Sequence, residues 1–253
     1  MGVNSIEVGL EVVKALVRSG GPATLGEVAE AAKMHPAKVH RYMVSFIRSG
    51  LIMQDPGTSR YDLGPYGLDF SLAYLARMDA NRIGAATMRS LVDQVNESAF
   101  IAVWGTHGPT VIDWQAARQP ISASTRIGTV FPLLASSTGR TFLAFLPPSE
   151  TEPFLKRELR ALSRSPDPRA IKDRKGVNEI VSEIRERGLA RGSGLRMPGM
   201  SSFSAPVFNR SDEIAFTLTV FGYEETFDMD WDGVIAVNLK GAARALSQQM
   251  GHT

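Results

Sequence analysis

The chain contains no cysteine. That excludes disulfides, thiolate metal centres and cysteine nucleophiles. Histidine is scarce: His35, His40, His107 and His252 are the only four. No two of them stand at the spacing of a metal-binding pair such as H-E-x-x-H. No run of about 18 apolar residues occurs, so no transmembrane helix and no membrane partner are expected. The start, Met1 to Asn4, is polar and lacks the basic-then-apolar order of a signal peptide. A soluble cytoplasmic protein is the expectation. The chain also lacks an excess of one charge, since 28 Lys and Arg against 26 Asp and Glu leave +2. This is no broadly basic coat for nucleic acid, and any DNA affinity must come from a local patch. Walker and Rossmann glycine patterns are missing, and Gly192-Ser193-Gly194 lacks the G-x-S-x-G frame of a nucleophile elbow. A small-molecule hydrolase is therefore the weakest alternative. No catalytic residue, metal or cofactor is assigned.

What is present fits two packed domains. The chain has 253 residues, 43% of them hydrophobic, a length that favours two domains over one. The most organised stretch runs from Thr24 to Gly50. Thr24 and Glu27 have the spacing of a capping box, which predicts a helix from Leu25. Leu25, Val28, Ala29 and Ala32 make one apolar face. Lys33, Met34 and His35 break it, and Pro36 suits the first turn of a second helix. Val39, Tyr42, Met43, Phe46 and Ile47 repeat at helical spacing along that helix. Its opposite face carries Ala37, Lys38, His40, Arg41, Ser45 and Arg48, and Gly50 is a natural stop. Two helices joined by so short a turn form a helix-turn-helix.

A hairpin is predicted directly after it. Leu51-Ile52-Met53 and Arg60-Tyr61-Asp62-Leu63 are strand-like, and Gln54 to Ser59 is rich in turn formers. Helix-turn-helix plus hairpin is a winged helix. Five Lys or Arg (33, 38, 41, 48 and 60) face one acid, Asp55, between Lys33 and Arg60, a local excess suited to a polyanion. The predicted DNA contacts are Pro36, Ala37, Lys38, His40, Arg41 and Ser45 in the groove, with Arg60 on the wing near the flanking backbone. A winged helix used for protein contacts is the alternative, which a mobility shift with DNA separates. A first helix is predicted over Ser5 to Arg18, stopped by Ser19-Gly20-Gly21-Pro22.

The opening Ser5-Ile6-Glu7-Val8-Gly9-Leu10-Glu11-Val12-Val13, the Gly20-Gly21-Pro22 turn, Leu25-Gly26-Glu27-Val28-Ala29, Val39-His40-Arg41 and Arg60-Tyr61-Asp62-Leu63-Gly64 resemble the isocitrate-lyase-regulator (IclR) family of bacterial transcription factors. The likeness is strong over about the first 70 residues. It continues more loosely through Gly139-Arg140 and Ser204-Ala205-Pro206-Val207-Phe208. One departure bears on base reading: members usually carry Ser-Thr where this chain has Ala37-Lys38, so the operator sequence does not carry over. The resemblance implies a winged-helix reader (1–64), a linker helix (65–80) and a GAF-like α/β effector-binding and oligomerisation domain (81–253). It implies dimers or tetramers on near-palindromic double-stranded operators. Small metabolites, often aromatic or other organic acids, then change the grip on DNA or on RNA polymerase.

The residues beyond 64 carry their own pattern. From Pro65, Tyr66, Leu68, Leu72, Leu75 and Ala76 repeat helically, with Phe70 and Tyr74 also apolar. That surplus has two readings: contact with a second copy, or a core helix of one protomer. Beyond it, helices are predicted at Asn81–Val95, Thr141–Leu146, Glu150–Leu162, Val177–Arg187 and from Trp231 to Leu246. Strands are predicted at Ser98–Gly105, Thr110–Ala116, Ile121–Ser124, Gly188–Arg191, Ser201–Phe208 and Glu213–Phe221, with a turn at His107-Gly108-Pro109. The alternation gives an α+β fold with a largely antiparallel sheet.

Ser136-Ser137-Thr138 followed by Gly139-Arg140 is the candidate effector site. Hydroxyls and free N–H groups at a helix start favour an anion, and Arg140 is a nearby cation. Plain helix capping by Ser or Thr is the competing reading. The family's pocket positions map by approximate alignment to Leu133, Ser193, Met200, Ser202, Thr219 and Phe221, a mix of apolar walls and hydroxyl donors. Trp104, Trp114 and Phe131 add either aromatic surface or plain core.

Overall fold

The computed structural model describes residues 2–76, 79–118, 125–195 and 197–252. The chain divides into two compact units, Met1–Arg77 and Met78–Thr253.

The first unit holds α1 (Asn4–Arg18), α2 (Leu25–Ala31), α3 (Pro36–Arg48), β1 (Ile52–Gln54), β2 (Tyr61–Leu63) and α4 (Pro65–Ala76). Both parts of the Thr24/Glu27 capping box form, so two otherwise unpaired N–H groups at the start of α2 are satisfied. Proline opens α3, and the His35 ring accepts the Ala37 N–H at 3.3 Å. Lys33 takes a positive φ in the turn between the two helices. Val12, Leu16, Val28, Val39, Met43 and Ile52 close one core under the three helices and the wing. The strands β1 and β2 pair antiparallel, and an Ala23–Tyr61 bridge ties the wing to the chain entering α2. The predicted elements therefore form, with α1, β1 and β2 shifted by one residue at one or both ends.

The second unit holds α5 (Asp79–Val95), β3 (Ser98–Gly105), β4 (Gly108–Gln115), α6 (Ser137–Phe145), α7 (Pro148–Leu162), α8 (Arg174–Arg187), β5 (Ala190–Ser193), β6 (Met200–Phe208), β7 (Ile214–Tyr223) and α9 (Val234–Gln249). Its sheet is antiparallel throughout, in the order β4-β3-β7-β6-β5. Ser202, Ser204 and Thr219 turn toward α6, while Phe203 meets Phe227 and Trp231 on the opposite face. α5 and α9 pack together against the sheet, and α6 is backed by α7 and α8. This is the layered α+β arrangement expected of a GAF-like domain.

Most boundaries shift by one to four residues from the sequence expectation, and three of the shifts have a local cause. α6 starts at Ser137 rather than Thr141, because Ser136 caps it and the hydroxyl run forms its first turn. Gly108 and Pro109 belong to β4, and the turn contracts to Thr106-His107. Trp231 precedes α9 and lies between two guanidinium groups, Arg187 and Arg191, at 4.5 and 4.6 Å from its ring centre. The predicted strand Ile121–Ser124 lies outside the described residues. Among those described, no helix is long and apolar enough to cross a membrane.

Candidate functional site: a basic helix face and a hydroxyl-lined cavity

Two features qualify as sites, one in each unit. In the first, Val39 and Met43 are fully buried and fix the rotation of α3. Helical geometry then turns the other side outward, and Pro36, Ala37, Lys38, His40, Arg41 and Ser45 are all exposed. Among the described residues, the ion pairs of this unit are Lys14–Glu11 and Arg60–Glu27. Lys38, His40 and Arg41 take part in none among the described residues, so their donors face outward. Ser45 instead turns its hydroxyl back onto the Arg41 carbonyl at 3.2 Å.

Arg60 stands directly before β2 of the wing, with its side chain engaged inside the unit. Its Nη1 donates to the Pro22 carbonyl at 2.9 Å and to Glu27 Oε2 at 3.3 Å. It therefore braces the base of the wing against the capping box. The Thr24 N–H, and after it the Arg60 charge, hold the Glu27 carboxyl below the usual carboxylate range. The wing tip itself is organised by Asp55, whose Oδ1 accepts from the Gly57 and Thr58 N–H groups.

In the second unit a cavity opens beside the start of α6. It encloses about 450 Å³ including its mouth. Eight of the ten predicted effector residues line it: Ser136, Ser137, Thr138, Ser193, Met200, Ser202, Thr219 and Phe221. Two do not. Leu133 is buried among Leu134, Leu143, Leu155 and Val177. Arg140 is turned away, with Nε donating to the Leu134 carbonyl at 2.7 Å and Nη1 to the Arg191 carbonyl at 3.1 Å. The reason is helical: Arg140 follows the cavity-lining Thr138 by two residues, about 200° around α6, so it points away from the cavity and toward the edge strand β5. Phe131 lines the cavity, whereas Trp104 and Trp114 pack into the surrounding core.

Sequence reasoning missed Phe100, Thr125, Ala135, Gly192, Gly194, Leu195, Met197 and Ser201 in the lining. The signal for some was available. Phe100 is cross-strand partner to Thr219 and so shares its face. Gly192 admits the α6 terminus, since a Cβ there would stand 3.1 Å from the Ser137 nitrogen.

The hydroxyls form a network rather than a loose set. Ser136 Oγ accepts the Gly139 N–H at 2.9 Å and donates to the Pro132 carbonyl at 2.6 Å, so it is the cap. Ser137 and Ser202 bond through their hydroxyls at 2.8 Å, Thr138 and Thr219 at 3.0 Å, and Thr219 donates to Ser204 at 2.9 Å. These bonds seat α6 on the sheet. The cavity lining contains no Lys, Arg or His among the described residues. Any anion there meets hydroxyls and the first N–H groups of a helix, whose dipole favours negative charge.

The loop leading into α6 is held from α7. Both oxygens of Glu158 accept backbone N–H groups, from Leu133 at 2.7 Å and Leu134 at 2.8 Å. An amide at this position loses the ionised acceptor pair. Glu158→Gln is expected to cost about 1.5–3 kcal/mol, the range for hydrogen bonds to charged groups. Urea unfolding monitored by tryptophan fluorescence measures it; an unchanged midpoint would remove Glu158 from the support of α6.

Comparison with known proteins agrees with both units. The model for the IclR helix-turn-helix domain matches residues 5–56, and that for the bacterial transcriptional regulator IclR C-terminal domain matches 72–248. The HTH-type transcriptional regulator BhcR of Paracoccus denitrificans is 28% identical over 221 residues, covering 87% of this chain and 78% of that one. The crystal structure of HmgR from Pseudomonas aeruginosa is 38% identical, covers 99% of both chains and has a TM-score of 0.63. An IclR homologue from Microbacterium hydrocarbonoxydans, solved in complex with 4-hydroxybenzoate, shares the fold at a TM-score of 0.81 with 15% identity, over 98% of this chain and 99% of that one. With an outward basic helix in one unit, a hydroxyl-lined cavity in the other, and family models spanning both, the chain belongs to the IclR family of bacterial transcriptional regulators.

Proposed function

We propose that this regulator binds near-palindromic DNA as a dimer or a dimer of dimers, and that a small aromatic acid in the α6 cavity sets its grip. DNA as partner places its work in the cytoplasm. The observation that carries the effector half is the cavity's composition. Phe100, Phe131 and Phe221 give flat apolar walls, Met197 and Met200 give adaptable ones, and the polar groups cluster at the α6 terminus. A carboxylate on the Ser137 and Thr138 N–H groups with a ring between the aromatic walls satisfies both. The bound 4-hydroxybenzoate of the Microbacterium hydrocarbonoxydans homologue is an acid of this class.

The dimer half rests on exposed apolar surface within the first unit. Ile6, Leu10 and Val17 are exposed and fall on one stripe of α1, with Val3 exposed just before it. Tyr66, Leu68, Phe70, Leu72 and Tyr74 on α4 are likewise exposed, between 52% and 68%. A helix apolar on several sides is not stable facing water, so a second copy is its natural cover. Paired copies present two α3 helices to one duplex. The effector acts only as far as it binds one dimer arrangement more tightly than another. Response through RNA polymerase contact is an equivalent output of the same shift.

The test fills the cavity. Ser202→Trp places an indole where Ser202 meets Ser137 and is expected to abolish binding of aromatic acids while DNA binding persists. A thermal-shift panel of organic and aromatic acids reads this, since a ligand at 100 times its Kd stabilises the folded state by about 2.7 kcal/mol. A panel that stabilises wild type and variant equally would place the effector elsewhere.

A further inference from the structure

The edge strand β5 borders a second cleft, which Arg140 of α6 also lines. Arg191 pairs with Phe203 and Ser193 with Ser201, so these side chains share the sheet face opposite Ser202. The cleft, about 760 Å³ with its mouth, is lined by Arg140, Arg169, Arg191, Ser193, Ser201 and Glu224, with Gly192 and Met229 completing it. The arginines come from three different elements: a helix, a loop and a strand.

Their donors are only partly used. Arg140 donates to the Leu134 and Arg191 carbonyls, which leaves its Nη2 without an acceptor among the described residues. Arg191 lies over the Trp231 ring at 4.6 Å and donates no hydrogen bond among the described residues. Asp167 neutralises Arg169, whose Nη1 reaches the Ser193 carbonyl at 3.2 Å. Glu224 acts on Arg169 and Glu183 on Arg140, whereas Arg191 forms no ion pair among the described residues. Burial pushes the Arg140 guanidinium below its ordinary value, against the pull of Glu183. The second observation is the Ser201 hydroxyl. Ser201 is 1% exposed, and its oxygen has no partner among the described residues. Buried hydroxyls are rarely left so.

We propose that this cleft binds a phosphoryl oxyanion, gripped by Arg191 and Arg140 from its rim while the Ser201 hydroxyl donates from its floor. Donors converging from separate elements suit the several oxygens of a tetrahedral anion better than the two of a carboxylate. Free phosphate and a phosphate monoester share this chemistry. Gly192, Ser193 and Ser201 border both this cleft and the α6 cavity. Occupancy therefore braces a wall that the two cavities have in common.

Isothermal titration of the full-length chain tests this, with sodium phosphate, glycerol phosphate and acetate as titrants at one ionic strength set by sodium chloride. The expected result is one site per chain for at least one phosphate titrant, and no saturable heat with acetate. Binding by inorganic phosphate alone identifies the free ion as occupant, and binding by the monoester alone identifies a phosphorylated metabolite. Arg191→Ala is expected to weaken it about tenfold or more. Ser201→Ala should weaken it while leaving the phosphate-free melting temperature unchanged or raised, because the unpartnered hydroxyl is gone. No saturable phosphate heat, a stronger response to acetate, or wild-type affinity in both variants would overturn the proposal.

Discussion

Gly139→Ala is expected to lower the stability of the second unit by about 3 kcal/mol or more, at the upper end of overpacking costs. A Cβ at Gly139 would collide with the Pro132 carbonyl oxygen and stand 2.6 Å from the Leu133 Cα. Those atoms are backbone and are held in place by Glu158, so no side chain can swing aside. The helix itself must lift. Lifting α6 parts Ser137 from Ser202 and Thr138 from Thr219, and the cavity loses its floor with them. A melting temperature lower by about 6–12 °C in the apo protein would register the cost for a domain of this size. A variant that melts with wild type would show that α6 is not seated as tightly as these contacts require.

Arg41→Ala is expected to weaken specific DNA binding by about 1–3 kcal/mol, roughly 5- to 150-fold, because a guanidinium fork reads guanine through two hydrogen bonds. Fold stability should not move, since Arg41 is exposed and forms no ion pair among the described residues. Fluorescence anisotropy against specific and scrambled duplexes separates the two effects. Lys38→Ala should instead lower the salt dependence by about one unit of slope if it meets a phosphate. Equal loss on both duplexes for Arg41→Ala would make it a phosphate contact rather than a base reader.

The first unit was legible in the sequence because each of its signals is local. A capping box, a proline at the start of α3 and an apolar stripe all act within a few residues, and each fixes where a helix begins and which way it faces. The second unit was legible as alternating strands and helices for the same reason. Its site was legible only in part. The hydroxyl run Ser136 to Thr138 was found, but whether Arg140 faces the cavity or the edge of β5 depends on the tertiary packing of α6. Arg60 illustrates the same limit. Charge and position put it on a wing, yet its partner Glu27 stands 33 residues away in sequence. Gly194 and Leu195 escaped because the segment after the edge strand β5 carries no periodic signal.

The central claim is that α3 reads DNA in duplicate. Selection of random duplex DNA by the full-length chain tests it most directly. The account predicts enrichment of an inverted repeat whose half-sites lie about one helical turn, 10–10.5 base pairs, or a multiple of it apart, and loss of that enrichment in Arg41→Ala. Recovery of no common motif, of a single asymmetric site, or of the same motif by the Arg41→Ala variant would contradict it.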